Sequence, residues 1–514
     1  MIPIANKFNY IYNKYIKSTL YLIVKKIVYI LFVAIVAISM PTLTTSCVKE
    51  NVYLEDNNAR LNFSCDTLKF DTVFVTMGTT TQRVTVHNPY NKTILLNQVT
   101  LAEGSNSRFR LNIDGDTNMV VRNLEIAAKD SIFIFVQANI NPNASTEPFL
   151  IEDAINFQFG QVEQKIVLTA YGRNAIYHIP TDTIVNEIEL ANGNIIKIDY
   201  PYSVINCDEW DHSRPHVIVN YAVVDSDKKL ILESGDELYF GDQGCLWVYD
   251  GGTLVVNGTK EQPVLFTSVR HDGWYDSLPG QWQQIWLSSG SRDNIINYAQ
   301  IENNIFGVVV DTNVNNNPTL TITNSKILHA SQCGILGQGA YIMGENLLIT
   351  NCQEALVALQ YGGKYYFRNS TFANHWEYGG RKFKSIILNN WYTSANGDPI
   401  IRDLEAAHFY NCIIDGSFSA NNGGEVALER NPNGAFNILF DHCIVKSNDV
   451  AEYSENTQFD IDPKFIDIHL SDFHLKEDSP AIGAGTSSQI TIPYDLDGAP
   501  RNNPPSIGAY EYIE

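Results

Sequence analysis

Between Asn294 and Ser447 one short phrase keeps returning: IINYAQIEN, ITNSKILHA, GENLLITNC, FRNSTFANH, FYNCIIDGS and LFDHCIVKS. Superposing the copies stacks Tyr298, Asn324, Asn346, Asn369, Asn411 and His442, at successive spacings of 26, 22, 23, 42 and 31 residues. A unit of this length cannot bury its own apolar side, whereas stacked copies can, so the period predicts a solenoid. Upstream lie very short apolar runs, Leu230–Leu232, Leu238–Phe240, Leu246–Val248, Leu254–Val256 and Val264–Phe266, whose starts are 8, 8, 8 and 10 residues apart. Three such strands per turn give about 24 residues, the later period, and the layout of a parallel β-helix. The recurring Asn has a mechanical reason. Its amide can hydrogen-bond its own backbone and the Asn one turn above, at a bend that tolerates left-handed φ. The column therefore reads as an internal ladder rather than a row of sugar-binding amides, and His442 as a turn residue in the same register.

The interval between Asn369 and Asn411 exceeds one period by about a coil's worth of residues. It holds Trp376, Tyr378, Trp391 and Tyr392 beside Arg381, Lys382 and Lys384. Aromatic rings stack on the C–H faces of sugars and cations pair with uronate or sulfate groups, so these seven are the candidate ligand-binding residues. The competing reading is an additional coil with ordinary core aromatics, because Ser385–Leu388 has strand character.

Charge narrows the partners. The 514 residues carry a net charge of −22, and the five Lys of the first 46 residues have no acid among them. An acidic surface repels phosphate backbones, which argues against nucleic acid. Residues 1–46 read as a signal peptide: Lys7, Lys14, Lys17, Lys25 and Lys26 precede the apolar run Ile27–Ser39, too short to span a bilayer. The run ends in Leu43-Thr44-Thr45-Ser46-Cys47. This resembles a bacterial lipobox, which implies lipid attachment at Cys47 and a tether over 47–58. The charged stretch behind Cys47 resembles a surface-export signal of lipoproteins in polysaccharide-degrading gram-negative bacteria, and implies an outer-membrane, cell-surface location. The seven other Cys show no CxxC pair and read as buried structural residues.

Residues 59–175 alternate apolar and polar side chains in short runs, among them Arg83–Val86, Ile94–Leu101, Ser131–Gln137 and Lys165–Ala170, with turns such as Asn88-Pro89-Tyr90-Asn91 between them. About seven strands in that length is the size of an immunoglobulin-like β-sandwich. The run VTVHNPYNKTILLNQVTL and the closing QKIVLTAYG resemble the ASH-related domains that follow lipoprotein anchors. A connector at 176–205 has no assigned fold. Within 206–485, GGTLVVNGTKEQPVLFTS and QWQQIWLSSGS resemble the opening coils of pectate-lyase-like proteins, which implies a right-handed parallel β-helix. The words SPAIGAG, DLDGAPR and IGAYEY toward the end resemble the choice-of-anchor Q terminus of secreted β-helix proteins. There an acid is common where this chain has Ser506, and 486–514 is expected to cap the solenoid. The fold class expected is all-β: an immunoglobulin-like sandwich followed by the β-helix.

Catalysis is not indicated by any motif. The GxSxG, HExxH and P-loop words are absent, as are the clustered Asp and Gly-His-Gly words of polygalacturonase-like hydrolases. Asp208, Glu209 and Asp211 are carboxylates of the kind Ca²⁺ takes, but no repeated Asp-x-Asp follows on consecutive turns, so no metal or cofactor is expected. The sequence thus favours a lipid-anchored outer-membrane protein whose β-helix binds or presents an extracellular polysaccharide. A polysaccharide lyase or glycosidase, and an adhesin-like structural protein, are the alternatives on the same fold.

Overall fold

The computed structural model describes residues 53–514 apart from 57, 76–77, 144–147, 190–194, 271–272, 315, 395 and 489–491. The expected signal peptide and the lipid-bearing Cys47 lie outside the described residues. Everything regular in the rest is β-structure, with a few single turns of 3₁₀ helix.

The amino-terminal unit packs two sheets, of four and five strands, over one core that includes Val84, Leu96, Phe109, Ile134 and Phe157. Its strands alternate as read: Ser131–Ala138 buries every second residue. The last strand, Val162–Arg173, runs almost directly into Ile176–His178, which is already the first strand of the solenoid. The junction is stapled by Arg173 on Glu237 at 2.6 Å and by Phe74 edge-on to Tyr239 at 4.6 Å.

Beyond it the chain winds as a parallel β-helix with three faces, taken in the order I, II, III on every coil. Among the described residues their sheets contain eleven, ten and nine strands. Leu230–Leu232 pairs with Leu254–Val256 one coil on, which is the 24-residue step in register. Inward side chains fuse into one core running from Ile205 to Val450. Phe367, Phe409 and Phe440 stack within it, one per coil, at 5.3 and 5.0 Å between ring centres. Residues 182–204, within the region assigned no fold, form the hairpin Asp182–Glu189/Ile195–Val204, whose second strand joins face II beside Tyr221–Val224.

All six residues of the recurring register have left-handed φ, between 44° and 53°. The bend is where face III turns into face I. Asn346 Nδ2 donates to Asn324 Oδ1 at 2.9 Å, Asn324 Nδ2 to Asn297 Oδ1 just outside the column at 2.8 Å, and Asn411 Nδ2 to Asn369 Oδ1 at 3.4 Å. Asn369 Nδ2 has no partner among the described residues, so the internal ladder is present with a break. The carboxy-terminal segment docks on this ladder and on the outside of face I. Asn411 exchanges hydrogen bonds with Thr486, and Asn346 donates to the Tyr494 carbonyl while accepting from Arg501. Phe473, Leu496, Ile507 and Tyr510 bury a second core against Leu348, Ile413 and Ile444. The expected cap thus has these contacts on the flank of several coils. Ser506, where resembling proteins carry an acid, donates its hydroxyl to buried Glu511.

Candidate functional site

The long interval after Asn369 contains no additional coil. Thr371–Asn374 on face I is followed by a corner loop, 375–385, then by Ile386–Asn389 on face II. A hairpin, Trp391–Thr393/Pro399–Ile401, precedes Leu404–Tyr410 on face III. The excess residues therefore form two outgrowths, one at each end of the same face II strand. They divide the seven sequence candidates between two corners.

In the corner loop, Arg381 is structural. Its guanidinium lies buried on Glu425, itself inaccessible, at 2.5 Å, and donates also to the Asn374 carbonyl at 2.7 Å. Trp376 is only 9% exposed, with Tyr378 edge-on at 5.2 Å, and the Tyr378 hydroxyl is tied to Ser277. Lys384 reaches the Asn422 carbonyl at 3.5 Å, and Lys382 is exposed. The seven do not converge. Packing accounts for Trp376 and Arg381, a correction to the sequence reading.

Trp391 and Tyr392 stand on the hairpin at the other corner, and here a cleft of about 480 Å³ opens. It is lined by Ser289, Asp311, Thr312, Gln338, Tyr361, Tyr392 and Arg402. Tyr361 and Tyr392 meet at 4.8 Å between ring centres, and the Arg402 guanidinium lies 5.8 Å from the Tyr392 ring while donating to Thr312 at 2.8 Å. Trp286 donates its indole N–H to Asp311 at 2.9 Å, and stacks on Trp247 of the preceding coil at 4.8 Å and 7°. Burial holds the Asp311 carboxyl above its ordinary range, against the pull of the Trp286 hydrogen bond. In-register pairing continues this outward column as Val223, Trp247, Trp286, Val309 and Leu336. Sequence reading missed Trp286, Asp311, Tyr361 and Arg402 because each comes from a different coil. Reading the chain in steps of one period, one column at a time, would have brought them together.

A second, larger cavity of about 850 Å³ lies outside face I, walled by the carboxy-terminal segment. At its floor His375 Nε2 meets Asp415 Oδ2 at 3.1 Å, and Lys446 Nζ lies 3.3 Å from Asp415 Oδ1. Burial pushes the Asp415 carboxyl up, but the His375 hydrogen bond and the Lys446 charge outweigh it and hold the group below its usual range. A sequence signal existed. Four residues past the left-handed position the column reads Glu302, Leu328, Thr350, Ala373, Asp415 and Lys446, so an acid and a base follow one another on its last two coils.

The carboxylates weighed for Ca²⁺ are engaged elsewhere: Asp208 lies 3.3 Å from Lys228, Asp211 is 2.6 Å from Arg214, and Glu209 accepts from Asn206. Among the described residues no group of three His, Cys, Asp or Glu could hold a metal ion.

No family model matches this chain, and no curated protein matches it. Solved structures align with it in part. A family 123 glycoside hydrolase from Clostridium perfringens shares 9% identity over 23% of this chain and 25% of that one, at a TM-score of 0.17. PapD-like domain 7 of human CEP192 shares 7% over 24% of this chain and 89% of that one, at 0.16. The catalytic domain of a GH87 α-1,3-glucanase in complex with nigerose shares 9% over 71% of this chain and 81% of that one, also at 0.16. At these TM-scores none carries an argument about what this chain does.

Proposed function

We propose that this is a lipid-anchored outer-membrane protein that binds an extracellular polysaccharide in the cleft between faces II and III. The observation that supports the reading is the convergence there of Tyr361 and Tyr392 with Arg402 and Asp311, which three different coils contribute. Rings offer the apolar faces of pyranoses a stacking surface, and a guanidinium with a carboxyl beside it supplies directional hydrogen bonds. The hairpin that carries Tyr392 is the wall that turns an otherwise flat sheet corner into a cleft. The test is a binding screen of the full chain against neutral, uronate and sulfated glycans. Tyr392→Ala and Arg402→Ala should each weaken binding at least tenfold with the fold intact. Unchanged affinity in both would remove this cleft from consideration.

A second reading, a polysaccharide lyase, is favoured by the face I cavity. His375 beside buried Asp415 is a candidate proton acceptor, and Lys446 a candidate partner for a uronate carboxylate. In that chemistry the base takes the proton α to the carboxylate, the C–H electron pair forms the C=C bond, and the glycosidic oxygen leaves with its electrons. New ultraviolet absorbance from unsaturated product, abolished by His375→Ala, would establish it. Binding without such product leaves the first reading standing.

A further inference from the structure

The hairpin Asp182–Glu189/Ile195–Val204 projects from the first coil, and only Tyr202–Val204 of it pairs with the neighbouring strand Tyr221–Val224. Directly opposite residues share a side in an antiparallel ribbon. The register puts Ile184 with Tyr200 and Asn186 with Ile198 on one side, and Glu187 with Lys197 on the other. Glu187 and Lys197 form an ion pair at 2.6 Å, so that side suits water. That side also exposes Val185 and Ile195, by 50% and 58%, but the first side has no ion pair among the described residues and more aliphatic residues: Ile184, Ile196, Ile198 and Val204 are 40%, 45%, 36% and 52% exposed. It runs on without a break through Tyr202 and Tyr221 onto the outside of face II.

An isolated two-stranded ribbon is marginal in water, and one with an uncovered β-branched side is doubly so. Together with the tyrosines, these residues leave on the order of 500 Å² of apolar surface open, near the upper end of what monomers expose. We propose that this side of the hairpin is the interface of a twofold dimer, its occupant the same side of a second copy. Two such surfaces meeting face to face bury about 1,000 Å² in total, the lower bound for a biological interface and the size of a weak, reversible one. An isologous contact needs self-complementarity; the Ile and Val side chains of this side can meet their own copies, and Asp182, the acid on it, sits at the base of the hairpin opposite Tyr202. A lipid surface fits poorly because acids flank the ribbon on a chain of net charge −22. The dimer is independent of the glycan cleft, which lies several coils away.

The test is sedimentation of the full chain carrying Cys47→Ser, so that no acyl chain intervenes, over a wide concentration range. A monomer–dimer equilibrium is expected. The double variant Ile184→Lys/Ile198→Lys should weaken it by a hundredfold or more, since both side chains meet solvent in the monomer. Val185→Lys, on the opposite side of the same ribbon, should leave it unchanged. A chain that stays monomeric throughout, or a dimer as sensitive to Val185→Lys as to the double variant, overturns the proposal. So does a monomer whose hairpin face instead brings it onto lipid vesicles or glycan beads.

Discussion

Replacing Arg381 by Met separates its two readings sharply. Glu425 is wholly buried and accepts from Arg381, from the Ser385 hydroxyl at 2.6 Å and from the Phe418 amide at 2.7 Å. Without Arg381 the carboxylate stays in place with its countercharge gone, a loss of about 3–5 kcal/mol for an uncompensated buried charge. Glu425→Leu alone strands the guanidinium and should cost a similar amount. The double variant removes both charges, leaving the Phe418 amide and the Ser385 groups short of an acceptor and the Asn374 carbonyl short of its Arg381 donor, about 1 kcal/mol each. The two changes should therefore fail to add by more than about 2 kcal/mol. Urea titration of the full chain, with hydrogen exchange read over residues 383–389 and 425–429, measures all three variants. Additive costs, or a single-variant cost below about 1 kcal/mol, would refute the reasoning. A stable Arg381→Met protein that had lost glycan binding would return Arg381 to the ligand.

Other outcomes are equally definite. His178 and His216, hydrogen-bonded at 2.9 Å beneath Trp210, are each held neutral by burial, at about 4 against an ordinary 6.5. Depressed histidine values mean that stability is whole above pH 6.5 and drains as the pH falls toward 4. The loss is up to about 3 kcal/mol per group, readable as a change in Trp210 fluorescence that His178→Gln blunts. At Asn346, φ is 51°, so Asn346→Ala should cost about 1 kcal/mol more than Asn346→Gly, the difference being left-handed strain alone; matched urea midpoints would contradict this. Cys47→Ala should move the protein from the membrane fraction to the soluble one, and a variant that still fractionates with membranes would sink the lipid anchor.

The solenoid was legible because its period is dictated by backbone geometry: every coil needs the same bend, and the bend selects Asn324, Asn346, Asn369 and Asn411. The long interval was legible only as an interruption. Spacing could not say whether the surplus was a coil or a pair of outgrowths, since Ile386–Asn389 looks like a strand in either case. Arg381 was misread for a physical reason. A cation among aromatic residues has the same sequence appearance whether it meets a ligand or a buried acid, and Glu425 lies 44 residues away. The cleft was illegible in local sequence because Trp286, Asp311, Tyr361 and Arg402 are neighbours only across coils.

In most solenoids each coil answers only to the coils beside it, so damage or fraying stays local. Here the carboxy-terminal segment is tied to Asn346, Thr371 and Asn411 at once, through Tyr494, Ala509 and Gly508. A strap that spans non-adjacent coils makes the opening of any one of them a shared expense.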